Sequence, residues 1–227
     1  MTRQLTEIAD ELGNWGDGTK ARAYYGVYDR YLGELADRPV TMLELGVYHG
    51  ESTKVFATYF KTGTVIAVDV EDRGVDFAGY PNVAFERADQ RDAKRLREIC
   101  QRHAPDGLDL VIDDAAHIGS WSQSSYRALM PLLRPGGFYI VEDWGTGYWN
   151  DWPDGRAIRP ARSRLLPWGM QRRVRSHDFG MVGFVKSLAD DVSTDVAPTR
   201  SAPRTQSAQL EYMHLYASSA VLKKRAV

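Results

Sequence analysis

Between Val40 and Val141 the sequence alternates short, continuous apolar runs with segments of helical period, and that alternation leaves few folds open. Val40–Leu45 (VTMLEL), Thr64–Val70 (TVIAVDV), Val83–Glu86, Leu108–Ile112 (LDLVI) and Phe138–Val141 (FYIV) read as strands. Ser52–Phe60, Ala93–His103 and Ser122–Leu133 read as the helices between them, and Arg134–Gly137 (RPGG) as the turn before the fifth strand. Strands that lack polar alternation are buried on both faces, which predicts an α/β fold with a parallel sheet, helices on both sides and right-handed crossovers. Gly180–Asp191 reads as a further helix, and Gln209–Tyr216 with Ser218–Lys224 as a terminal hairpin. The hairpin brings the expected sheet to seven strands, mostly parallel.

At 227 residues the chain is expected to be a single domain, 1–227. Within it, 1–35 is a helical segment, 145–178 a basic aromatic loop or lid, and 208–225 the hairpin, joined through a mobile stretch at 193–207. Tyr24, Tyr25, Tyr28 and Tyr31 recur at helical spacing, as a packing face or as an active-site wall. A net charge of −1 argues against a general nucleic-acid binder. No apolar run approaches the ~20 residues of a membrane-spanning helix. The opening MTRQLTEIADELG carries acids where a signal peptide needs a basic and then an apolar region. Cys100 is the single cysteine, so no internal disulfide forms; a reducing, cytoplasmic setting is expected.

The first strand runs into Glu44-Leu45-Gly46-Val47-Tyr48-His49-Gly50, an E-x-G-x-x-x-G turn whose glycines let the backbone approach a ligand. The spacing differs from the G-x-G-x-x-G that cradles a pyrophosphate, which counts against NAD or FAD. The second strand ends at Asp69, placed to accept hydrogen bonds from ribose hydroxyls, and the third is followed by Asp89-Gln90, placed near an adenine amino group. Singly, each acid also reads as a solvated loop residue. Together, at the carboxyl ends of neighbouring strands where open α/β sheets bind ligands, Glu44, Gly46, Asp69 and Asp89 resemble the S-adenosyl-L-methionine site of Rossmann-like class I methyltransferases. Ser52 and Asp113 complete the expected cofactor set.

The fourth strand runs into Asp113-Asp114-Ala115-Ala116-His117 and the fifth into Glu142-Asp143-Trp144. Were these strands neighbours, their ends would lie about 5 Å apart, gathering Asp114, Glu142 and Asp143 with His117 a turn away. Three carboxylates do not stay ionised together unless something positive sits among them. A hard oxygen cluster suits Mg²⁺, or Mn²⁺ in its place. The plainer alternative is that Asp113 or Asp114 caps the next helix and Glu142 is solvated; His117 could likewise be a packed core histidine.

The pattern DDxxH, then ED-W, then Thr146-Gly147-Tyr148-Trp149 resembles the metal-dependent sugar O-methyltransferases of the macrocin and mycinamicin type. Gly16–Tyr31 (GDGTKARAYYGVYDRY) and Met213–Lys224 (MHLYASSAVLKK) carry the same likeness. The resemblance implies that Asp114, Glu142 and Asp143 bind the metal, that His117 is the general base, and that S-adenosyl-L-methionine donates the methyl group to a sugar, glycoside or oligosaccharide hydroxyl. Some family members carry a large N-terminal domain not found in this sequence, and the 145–176 stretch departs from the family pattern.

That stretch holds seven arginines between Asp154 and Asp178 with no acid among them, and Trp144, Tyr148, Trp149, Trp152 and Trp168 around them. Sugars stack on aromatic faces, and arginine pairs with carboxylate or phosphate. Trp144, Tyr148, Trp149, Arg172 and Arg173 are therefore candidate acceptor contacts; a solvated loop or a subunit contact, as in a homodimer, reads equally well. The alternatives are a catechol-type small-molecule O-methyltransferase, a nucleotide-dependent oxidoreductase, and a non-catalytic module that keeps the cofactor fold.

Overall fold

The computed structural model describes residues 3–13, 20, 22–157, 178–193 and 209–226. Strands β1 (Thr41–Leu45), β2 (Thr64–Asp69), β3 (Val83–Arg87), β4 (Leu108–Asp113), β5 (Leu133–Glu142), β6 (Leu210–Leu215) and β7 (Ser219–Lys224) form one sheet in the order β3-β2-β1-β4-β5-β7-β6. The first five run parallel, and β7 pairs antiparallel to both β5 and β6. The helices are α1 (Leu5–Glu11), α2 (Arg22–Leu32), α3 (Glu51–Tyr59), α4 (Ala93–His103), α5 (Gly119–Leu129), α6 (Pro153–Ala157) and α7 (Gly180–Ser193).

Alternate residues of a strand face opposite sides of a sheet, and two apolar cores follow from that parity. Leu43, Val111 and Val141 pack with α4, α5 and α7 on one face. Met42, Leu110, Ile112 and Ile140 pack with α1, α2 and α3 on the other. Tyr25 and Tyr28 are wholly buried in this second core, edge to face with ring centres 6.1 Å apart. The α2 tyrosines thus pack as a helical face should, and two of them also reach the site described below. Among the described residues no helix is long and apolar enough to cross a membrane.

Two local expectations are corrected. The RPGG stretch does not precede β5 but lies inside it: Leu133 already pairs with Leu108, and the register shifts between Leu108 and Leu110. Gly136, at φ +75°, provides the irregularity without breaking the strand. The stretch after Asp143 is not a continuous loop either, since Trp144–Tyr148 forms a 3-10 turn and Pro153–Ala157 is α6. Trp168, Arg172 and Arg173, with most of the expected basic loop and the 193–207 connection, lie outside the described residues.

Asp154 explains why α6 forms where it does. Buried at 6% exposure, its Oδ2 accepts the backbone N–H groups of Gly119 and Met181, each at 2.8 Å. One carboxylate thus caps the first turns of α5 and α7 together, where helix N–H groups lack partners. Asp154→Ala should leave two buried donors unmet and lower unfolding stability by roughly 1–3 kcal/mol, read from the urea midpoint at constant slope.

Candidate active site

The cavity lies along the carboxyl edge of β1, β2 and β3. Beyond β1 the chain turns at Gly46, φ +88°, where an added Cβ would run into the Asp114 carbonyl. Its N–H bonds the Val68 carbonyl at 2.8 Å, and the Asp114 N–H bonds Leu45 at 2.9 Å, so three strand ends close on this glycine. Asp69 holds the turn from the other side: Oδ2 accepts the N–H of Val47 at 2.8 Å and of Tyr48 at 3.0 Å, and Oδ1 that of Glu71 at 2.9 Å. The resulting cavity of about 430 Å³ has Gly46, Ser52, Asp69, Asp89 and Asp114 in its wall. Asp89 is fixed by Arg91, whose bidentate pairing holds its carboxyl below the usual range, and the Arg91 guanidinium lies 4.1 Å from the Trp121 ring centre.

Glu44 and Asp113 do not line the cavity. Strand parity puts Glu44 on the face of Met42, where Ser52 and Thr53 each donate to it at 2.6 Å, joining β1 to the first turn of α3. Asp113 faces the other way and accepts from Ser125 at 2.7 Å, tying β4 to α5, while Gln90 reaches it at 3.3 Å. Burial pushes both carboxyls upward, against the hydrogen bonds that favour their ionised forms.

β4 and β5 are neighbours, and Asp113 pairs with Val141, so Asp114, Glu142 and Asp143 do meet. The cation among them is Lys20. Its Nζ lies 2.7 Å from Asp114 Oδ2 and 2.5 and 2.6 Å from the two oxygens of Glu142. Tyr28 also donates to Glu142, and Tyr24 to Asp143. Burial, then the Asp114 charge, pushes the Glu142 carboxyl up to about 8, against the pull of Lys20. Burial alone would lower Lys20, yet Asp114, Glu142 and Glu44 together hold it well above its ordinary range. With three carboxylate oxygens within 2.7 Å of the ammonium, the geometry supports the charged pair.

Asp114, His117 and Asp143 form a second grouping, each offering a donor atom within 4.8 Å of the others. His117 Nε2 stands 3.8 Å from Asp114 Oδ1 and 3.7 Å from Asp143 Oδ2. Two oxygens and an imidazole around one point, beside carboxylates that already draw in an ammonium, are a donor set that fits a hard divalent ion. His117 and Asp143 adopt φ +51° and +50°, a left-handed conformation that L residues occupy at a cost. The surroundings hold His117 there, since its carbonyl accepts from Trp152 Nε1 at 3.1 Å and from Thr146 Oγ1 at 3.3 Å. Of the expected acceptor aromatics, Tyr148 and Trp149 are exposed, at 41% and 50%. Trp144 is instead half-buried, its indole N–H donated to the Tyr216 carbonyl at 2.9 Å.

Lys20 was not singled out from the sequence, whereas Tyr24 and Tyr28 belonged to the tyrosine face read as packing or active-site wall, and Trp152 to the aromatics of the basic stretch. The available signal was parity, which places Glu44 and Glu142 on the α2 side, so a cation had to come from the N-terminal segment.

Residues 43–144 match a family described as a methyltransferase domain. The 8-demethyl-8-(2-methoxy-alpha-L-rhamnosyl)-tetracenomycin-C 3'-O-methyltransferase of Streptomyces olivaceus is 32% identical over 208 residues, 87% of this chain and 48% of that protein. Demethylmacrocin O-methyltransferase of Streptomyces fradiae is 30% identical over 206 residues, 87% of this chain and 47% of its own length. The solved MycE methyltransferase of the mycinamycin biosynthetic pathway, in complex with Mg, SAH and mycinamycin VI, superposes with a TM-score of 0.75 at 26% identity. That match covers 99% of this chain and 54% of MycE. Over most of its length this chain is similar to O-methyltransferases of the macrocin and mycinamicin type. Its fold is the Rossmann-like class I methyltransferase fold, with the seven-stranded sheet and terminal hairpin expected from the sequence. The chain spans about half the length of the curated relatives it matches.

Gly46, in the wall of the cavity, gives a direct check. Gly46→Ala should lose at least ~1–2 kcal/mol from the left-handed backbone alone, with the Asp114 collision added. A thermal melt equal to that of the parent protein would contradict the turn as described.

Proposed function

We propose that this chain is an S-adenosyl-L-methionine-dependent O-methyltransferase acting on a hydroxyl of a sugar, glycoside or oligosaccharide, with Mg²⁺ or Mn²⁺ assistance. The observation that carries the reading is the Asp114–His117–Asp143 group set directly against the cavity, with Asp114 belonging to both. A phenol acceptor would suit the same centre, but the Streptomyces olivaceus relative acts on a rhamnosyl-bearing molecule by its name, which favours a sugar hydroxyl.

The cavity volume falls in the range of small-molecule sites, about 300–1,000 Å³, and its chemistry fits the methyl donor. Asp69 would accept from the ribose hydroxyls with lone pairs left over from its backbone bonds. Asp89 and Gln90 stand where the adenine edge is expected, and Gly46 keeps the wall clear of a Cβ. The bound donor supplies an electrophilic methyl group on a sulfonium.

Asp114 and Asp143 would hold the divalent ion, with Glu142 as the third carboxylate. The ion, when bound, lowers the pKa of an acceptor hydroxyl far below the ~15.7 of water. His117 Nε2 accepts that proton as the methyl transfers. Thr146 and Trp152 fix the His117 backbone, and with it the point from which the ring extends. The exposed Tyr148 and Trp149 rings offer the apolar faces on which a sugar stacks. The basic stretch with Arg172 and Arg173 would take an anionic acceptor or face a second copy of the chain in a homodimer. A cytoplasmic setting, free of nucleic acid, completes the proposal on the single cysteine and near-neutral charge.

Two variants test separate parts. Asp69→Ala should weaken S-adenosyl-L-methionine binding by about 1.5–3 kcal/mol, the worth of charge-assisted hydrogen bonds, in calorimetry without metal. Unchanged affinity would remove Asp69 from the site. His117→Ala should bind Mn²⁺ and the methyl donor normally yet lose roughly 10²–10⁴ in turnover, as a positioned base contributes. Loss of Mn²⁺ affinity in that variant would make His117 a ligand instead, and full activity of the parent enzyme in excess chelator would refute the metal reading.

A further inference from the structure

The Lys20 ammonium is buried, 8% exposed for the whole residue, and sits in the wall of the cavity rather than behind it. Its three oxygen contacts use one oxygen of Asp114 and both of Glu142. Tyr28 adds a further bond to Glu142, so both oxygens of that carboxylate are engaged. The Tyr24 and Tyr28 rings flank the ammonium at 5.6 and 5.9 Å, an arrangement that favours a cation. What remains open to a divalent ion is Asp114 Oδ1, Asp143 Oδ2 and His117 Nε2. A three-carboxylate centre therefore competes with Lys20 for the Glu142 oxygens.

We propose that Lys20 is a tethered cation that fills the carboxylate centre in the absence of metal and must leave for a divalent ion to be held by Asp114, Glu142 and Asp143. This rests on the metal reading above. Glu142 lies at the floor of the centre with its charge compensated at every stage, first by the ammonium and then by the ion. The arrangement also couples metal entry to displacement of Lys20, two residues before α2, whose Tyr24 and Tyr28 bond Asp143 and Glu142 of the same centre. Two carboxylates with a protonated neighbour make a weak site, and three with the neighbour gone a stronger one, so Lys20 sets the concentration at which the metal enters.

The test uses the metal-free protein and Lys20→Met, with Mn²⁺ binding followed by electron paramagnetic resonance in the absence of methyl donor and acceptor. A state that must first give up a competing internal cation binds with an affinity reduced by its competent fraction, so Lys20→Met should bind Mn²⁺ on the order of tenfold tighter or more. In the parent protein, amine acylation read by mass spectrometry should mark Lys20 poorly without metal and well with saturating Mg²⁺. If the variant fails to fold without metal, the labelling of the parent decides alone. Lys20 labelling that stays flat as metal saturates overturns the proposal, as does weaker or equal Mn²⁺ affinity in a folded variant; Lys20 is then a fixed partner of Glu142. If neither protein binds Mn²⁺ or Mg²⁺, the metal reading itself falls, a result distinct from equal binding by both.

Discussion

Moving a carboxylate out of water costs several kcal/mol unless a cation or hydrogen-bond donors accompany it, and four carboxylates meet at the carboxyl edge of this sheet. Each is met differently. Glu44 receives two hydroxyls from α3, Asp113 a hydroxyl from α5, and Asp114 and Glu142 share Lys20. The helices are thereby keyed to the strands by polar contacts as well as by apolar packing, and their angular settings follow. Removing one partner of such a pair leaves a buried charge uncompensated, typically a cost of about 3–5 kcal/mol. The groups nearest the chemistry therefore also decide how firmly α2 and α3 sit on the sheet.

The same edge concentrates backbone strain. Tyr48, His117 and Asp143 are the non-glycine residues with positive φ among those described, and they follow β1, β4 and β5. Each lies in the turn that follows a parallel strand at the carboxyl edge of the sheet. Such conformations cost on the order of 1–3 kcal/mol apiece and persist only under constraint. Here the constraint is visible: Asp69 on the Tyr48 N–H, Trp152 and Thr146 on the His117 carbonyl, and Ser218 on the Asp143 N–H. A histidine held in this way presents its ring in one direction.

Much of this was legible in the sequence, for reasons that differ by element. Buried parallel strands announce themselves through unbroken apolar runs, and acids at their ends mark the ligand edge, so the sheet and the meeting of Asp114 with Glu142 and Asp143 could be read. Which acids face the cavity could not be read from the motif alone. Glu44 and Asp113 belong to motifs that suggest cofactor contact, yet alternation turns them into opposite interior faces. Lys20 escaped notice because a lysine near an N-terminus is ordinarily a solvated charge, and its partners lie 94 and 122 residues away in sequence. Trp152 likewise sat in an aromatic stretch that suggested sugar stacking, while its indole N–H is spent on the His117 carbonyl.

Asp154 leads to a consequence of another kind. By capping α5 and α7 with one carboxylate, it brings the chain at 153–157 against the chain at 180–181. The start of α6 and the start of α7 therefore share one anchor. Closing a loop costs free energy that grows only with the logarithm of its length, so the number of residues between α6 and α7 matters little while Asp154 holds Gly119, two residues from His117. The anchor thus separates the length of the intervening chain from the geometry beside His117.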